Sequence, residues 1–237
     1  MKDWFESEQG SYVLDKERAW FDQECADIFG FNAMQAGMCW VDLLQTNRMP
    51  NRYCADQADG QLRCHPEASP LASQSLDLLA LPHVLEFSAY PHQVLREAER
   101  ILRPEGHLLI AGFNPLSLWG LRRLLWRGRG GYPWHGRFLH LSRLKDWLAL
   151  LGFELQAGRM ICYAPPLRQA KWLRRFACLE AAGDRWWALG GGVYLLHAIK
   201  RTPGMRLMTP KWHEVWRPGA SIVRPVPKTT LHRGSDD

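Results

Sequence analysis

The chain offers few groups that could do chemistry, and each has a specific kind to offer. His83 directly follows the apolar run Leu76–Leu81. With an ordinary imidazole pKa of about 6.5 it would suit a general base; a hydrogen-bonded structural histidine is the competing reading. Glu86, three residues on, reads as a solvated charge. Cys54, Cys64 and His65 are types that could ligate a metal, but their spacing matches no standard zinc pattern. The six cysteines are scattered with no C-x-x-C pair, so they read as free thiols, not as a disulfide framework. No metal site is expected. Leu118–Phe138 interleaves Trp119, Trp126, Tyr132 and Trp134 with Arg122, Arg123, Arg127, Arg129 and Arg137. Such a segment could neutralise phosphates while stacking on bases, or rest an amphipathic helix on an anionic membrane. It could equally pack its rings inward and point its arginines to solvent.

Local patterning supplies the elements that would position these groups. Asp15–Phe29 places Ala19, Trp20, Cys25, Ala26 and Phe29 at helical spacing, and Gly30 is a plausible stop. Phe31–Gly37 ("FNAMQAG") reads as a short strand closed by a glycine. Residues 45–60 are polar and turn-rich and give no assignment. Leu76–Leu81 is a continuous apolar run, as in a strand covered on both faces. Pro91 opens a helix whose apolar face is Val94, Leu95, Ala98, Ile101 and Leu102, and Pro104 ends it. His107–Phe113 is the next buried strand. Strand, helix, tight turn and strand make a βαβ unit, so the two strands should be parallel and adjacent. Ser142 could cap a helix that Gly152 terminates, and "FELQAGRMICYA" and "GGVYLLHAIKR" follow as strand candidates.

The 237 residues are 46% apolar and 23% charged, enough for a real core. No stretch reaches the roughly 18 apolar residues that span a bilayer, and the first residues lack the pattern of a signal peptide. A cytoplasmic protein is therefore expected. The net charge of +6 is uneven: residues 119–175 hold twelve Lys/Arg against Asp146 and Glu154. From Thr202 onward the chain is basic and proline-rich, and reads as a poorly ordered tail.

Residues 64–113 carry a resemblance. "HPEASPL", "SLDLLALPHVL", "LREAERILRPEG" and "HLLIAGF" resemble successive segments of class I S-adenosylmethionine (SAM)-dependent methyltransferases of the type 11 group, and "LKDWLALLGFEL" resembles their later helix leading to strand six. "GFNPLSLWGLRR" is similar to a proteobacterial subgroup of that family. The resemblance implies an α/β fold, a Rossmann-like seven-stranded sheet with helices on both faces. It divides the chain into an N-terminal helical segment (1–30), a methyltransferase-like domain (31–201) and the tail (202–237). It also implies SAM as cofactor, held by Gly37, His65, Leu81, Pro82 and His83 at the carboxyl ends of the first, third and fourth strands.

Three positions depart from the family pattern. Gly37 is the only glycine where the family has a glycine-rich turn. The carboxylate expected after strand two has two candidates, Asp42 and Asp56. The acid that contacts adenine corresponds to His65. Each charge-assisted hydrogen bond is worth about 1.5–3 kcal/mol, so affinity could suffer. Two functions stay open at this stage. One is a SAM-dependent methyltransferase with an unknown acceptor. The other is an inactive protein of that fold, binding nucleic acid or an anionic surface as a scaffold.

Overall fold

A computed structural model describes residues 1–125, 131–166 and 190–201. Trp126, Arg127, Arg129 and the tail from 202 lie outside the described residues. In chain order the elements are α1 (Lys2–Phe5), α2 (Glu8–Ala26), β1 (Asn32–Ala36), β2 (Asn51–Asp56), β3 (Leu62–Arg63), β4 (Leu76–Pro82), α3 (Pro91–Ile101), β5 (Leu102–Phe113), α4 (Leu118–Leu125), α5 (Leu141–Leu150), β6 (Phe153–Ile161) and β7 (Val193–Lys200).

The strands form one seven-stranded sheet in the order β3-β2-β1-β4-β5-β7-β6. β4 and β5 are parallel neighbours, joined through α3 as the βαβ pattern required. β7 runs antiparallel between β5 and β6. Alternate residues feed opposite cores. Leu78, Ala80, Leu109 and Ala111 face a core completed by Trp20 and Phe21 of α2. Leu79, Leu81, Leu108 and Ile110 face another, completed by α3 and α5. A sheet covered on both faces is what continuous apolar strands demand.

Some boundaries differ from the sequence expectation, for physical reasons. α2 starts at Glu8, well before Asp15, because Ser7 caps it by accepting from Gly10 N at 3.2 Å. α3 ends at Ile101, and Pro104 lies within β5. There the register jumps from Leu76↔Leu102 to Leu78↔His107, so residues 103–106 bulge out, with Glu105 at φ +63°. α5 starts at Leu141, so Ser142 is inside the helix, not at its cap. Gly152 ends α5 at φ +80°. Among the described residues no helix is long and apolar enough to cross a membrane.

Candidate active site

β1, β2 and β4 are parallel and end at the same sheet edge. A cavity of about 550 Å³ opens there, within the usual range for small-molecule sites. Its floor is the turn after β1. Gly37 takes φ +81° and Met38 φ +52°, and a Cβ on Gly37 would stand 3.1 Å from Val84 Cγ2. Backbone can approach a ligand here only because the side chain is missing. Gly37 N donates to Ala55 O at 2.7 Å, which ties the turn to the end of β2.

Gln35 shapes this turn, and the sequence reading missed it. Its buried carboxamide donates through Nε2 to the carbonyls of Gly37 and Met38, both at 3.0 Å, and of Val41 at 2.9 Å. Its Oε1 accepts from Leu43 N at 2.9 Å. One side chain therefore satisfies four backbone groups and winds the loop without further glycines. The available signal was a polar residue within an otherwise apolar strand.

Gly37, His65, Leu81, Pro82 and His83 all border this one cavity. Of the two candidate carboxylates after strand two, Asp56 ends β2 on the cavity. Asp42 lies elsewhere, exposed and 3.6 Å from Arg52 Nη1. Glu67 and Ser88 add polar lining, the Ser88 hydroxyl donating to Glu67 Oε1 at 2.6 Å.

Of the two readings of His83, the geometry is that of the hydrogen-bonded structural histidine and not of a general base. It stands at the cavity with its backbone at φ +53°, and its side chain is fully enclosed. Nε2 lies 2.6 Å from Glu17 Oε1 and Nδ1 lies 3.1 Å from Glu86 Oε1. The ring stacks on Phe113 at 4.4 Å. Burial pushes the imidazole pKa down, but the charges of Glu17 and then Glu86 outweigh it and raise it to about 10. At neutral pH His83 is an imidazolium with both nitrogens engaged, so it has no site for another proton. Glu86, expected in solvent, is 2% exposed and also accepts from Phe113 N at 2.6 Å.

The expectation of six free thiols is also corrected. Cys39 and Cys54 form a disulfide with Cα atoms 5.7 Å apart. β1 pairs with β2 so that Gln35 stands opposite Cys54, and the turn at Gly37 brings Cys39 back over it. Cys54 is thereby removed from any metal set with Cys64 and His65.

Residues 21–110 match a family model described as a methyltransferase domain. The sheet order is that of the class I methyltransferase fold, and the match covers 90 of the 237 residues. Over 144 residues the chain is 43% identical to the uncharacterized protein YafS of Escherichia coli K12, covering 59% of this chain and 58% of that one. Over 106 residues it is 33% identical to a malonyl-[acyl-carrier protein] O-methyltransferase of Laribacter hongkongensis, covering 45% of this chain and 32% of that one. The matches thus span 58% and 32% of the length of these curated relatives. A solved SAM-dependent methyltransferase of Thermotoga maritima superimposes with a TM-score of 0.54 at 16% identity, covering 85% of this chain and 100% of that one; the likeness is one of fold.

Proposed function

We propose that this domain is a SAM-dependent methyltransferase that binds SAM in the cavity between the carboxyl ends of β1, β2 and β4. The observation that carries the reading is the Gly37 N to Ala55 O bond, which sets a side-chain-free turn beside the carboxylate of Asp56. The residues present fit the cofactor. Gly37 admits close backbone approach, Asp56 can accept from ribose hydroxyls, and Leu81 and Pro82 offer apolar wall. His65, at the family's adenine-contacting position, can meet a heterocycle through its ring. When bound, SAM supplies an electrophilic methyl group on a sulfonium sulfur.

The protein's own part is positioning. Methyl transfer requires alignment of the acceptor and exclusion of water more than acid–base catalysis. That suits a site where the His83 ring is already fully engaged. The acceptor is left unassigned. A cytoplasmic setting belongs to the same proposal, and reducing conditions there would oppose the Cys39–Cys54 bond.

The test is calorimetric titration of the wild type and Asp56→Ala with S-adenosylhomocysteine. Loss of a charge-assisted pair costs about 1.5–3 kcal/mol, so affinity should fall roughly tenfold or more. Equal affinity in the two proteins would remove Asp56 from the site.

A further inference from the structure

α4 buries one side and leaves the other bare. Trp119 is fully buried, whereas Leu121, Leu124 and Leu125 are 49%, 71% and 67% exposed, and Leu116 in the preceding turn is 62% exposed. The i, i+3, i+4 spacing puts the three helical leucines on one stripe. A single exposed leucine is ordinary, but four within ten residues form a patch.

The sequence flanking this patch carries charge of one sign. Between Gly106 and Lys145 the chain carries seven Lys/Arg and no Asp or Glu. Among the described residues Arg137 is exposed, whereas the exposed Arg143 and Lys145 belong to α5, which packs into the core on the other side of the sheet from Trp119.

The aromatic side chains decide between the two anionic partners such a segment could meet. Single-stranded nucleic acid wants open ring faces and available guanidinium groups. Here Trp119, Trp134 and Phe138 are buried. Arg122 lies over the Trp134 ring at 4.4 Å and donates to the Pro166 carbonyl. Arg123 lies over Phe138 at 5.2 Å and donates to Gly136 O at 2.6 Å. Among the described residues these three rings and the two helical arginines are turned to internal use, and the exposed side of α4 is aliphatic. Exposed aliphatic side chains in a segment that is basic and free of acids match a bilayer surface, where leucines enter the acyl boundary and cations meet headgroups.

We propose that α4 docks this protein on anionic lipid bilayers through Leu116, Leu121, Leu124 and Leu125. α4 follows the carboxyl end of β5, the sheet edge that also carries the cavity. Docking would therefore bring that edge toward the membrane. The inference does not depend on SAM binding.

The test is cosedimentation of the full chain with phosphatidylcholine vesicles, with and without phosphatidylglycerol, at low and high salt. Wild type should sediment with the phosphatidylglycerol vesicles, and less so at high salt. Leu124→Asp/Leu125→Asp should weaken this about tenfold or more, with an unchanged melting temperature because both sites are exposed. Should that pair unfold the protein, Leu121→Gln/Leu124→Gln is the milder variant, with the same expectation. Absence of wild-type sedimentation overturns the proposal. So does equal sedimentation of wild type and a folded variant, which would assign binding to the basic tail. Binding of single-stranded RNA in preference to vesicles, unchanged in the variant, would give the surface to nucleic acid instead.

Discussion

Glu17 Oε1 and His83 Nε2 lie 2.6 Å apart although 66 positions separate them, and both side chains are fully enclosed. The contact ties α2 to the loop after β4, whose backbone walls the cavity. Glu86 closes the other side of the ring, so two carboxylates flank one imidazolium. A buried charge is tolerable only with such partners.

Removing one partner should therefore be costly. Glu17→Ala would leave the imidazolium short of a counter-charge, at about 3–5 kcal/mol. For a domain of this size each kcal/mol lowers the melting temperature by roughly 2–4 °C. A fall of about 6–20 °C is expected by circular dichroism, and a change within error would show that the contact contributes nothing to stability.

The same cluster sets an alkaline limit. His83 has a folded pKa of about 10 against 6.5 for an unperturbed imidazole. A raised folded pKa gives stability that is whole below the unfolded value and is lost as pH rises through the folded one. Urea midpoints should therefore drop between neutrality and pH about 10. Burial, followed by the charge of Asp22, raises the Cys25 thiol to about 12 and adds a fall of the same sign. The comparison with His83→Gln isolates the histidine: its pH dependence over that range should be shallower. Parallel curves would take the histidine out of the alkaline transition.

Reduction should loosen the cavity floor. The Cys39–Cys54 bond closes a loop with a sequence separation of 15, worth about 3 kcal/mol in the chain-entropy view. Cys39 is two residues after Gly37, so the bond fastens the chain leaving the turn to β2. Dithiothreitol or Cys54→Ser should lower both the melting temperature and the affinity for S-adenosylhomocysteine. A reduced protein with unaltered affinity would show that Gln35 alone holds the turn.

What the sequence made legible was local. Leu76–Leu81, Pro91–Leu102 and His107–Phe113 announce themselves because both faces of the strands and one face of the helix are apolar. β2 escaped because Asn51, Arg52 and Tyr53 are exposed and give no alternation. Gly37, His65 and Leu81–His83 were found through a resemblance, and the structure gathers them around one cavity. The resemblance could not choose between Asp42 and Asp56, because that choice depends on where β2 ends. Gln35, the disulfide and the Glu17–His83 contact depend on strand pairing and on α2 packing over one face of the sheet. Such partners are distant in sequence, and no single-residue pattern reports them. His83 is the instructive case: its type suggested a base, and its neighbours make it an acid already in its charged form.

Titrating the full-length wild type and Gly37→Val with S-adenosylhomocysteine in a calorimeter tests the central claim most directly. A Cβ at residue 37 would press on Val84 and force a side chain into a positive-φ turn, so the variant should lose the ligand while its fold survives. Saturable binding by the wild type at one site per chain, abolished by Gly37→Val, is the expected result. No measurable heat with the folded wild type, or binding that Gly37→Val leaves intact, would contradict a SAM site between β1, β2 and β4.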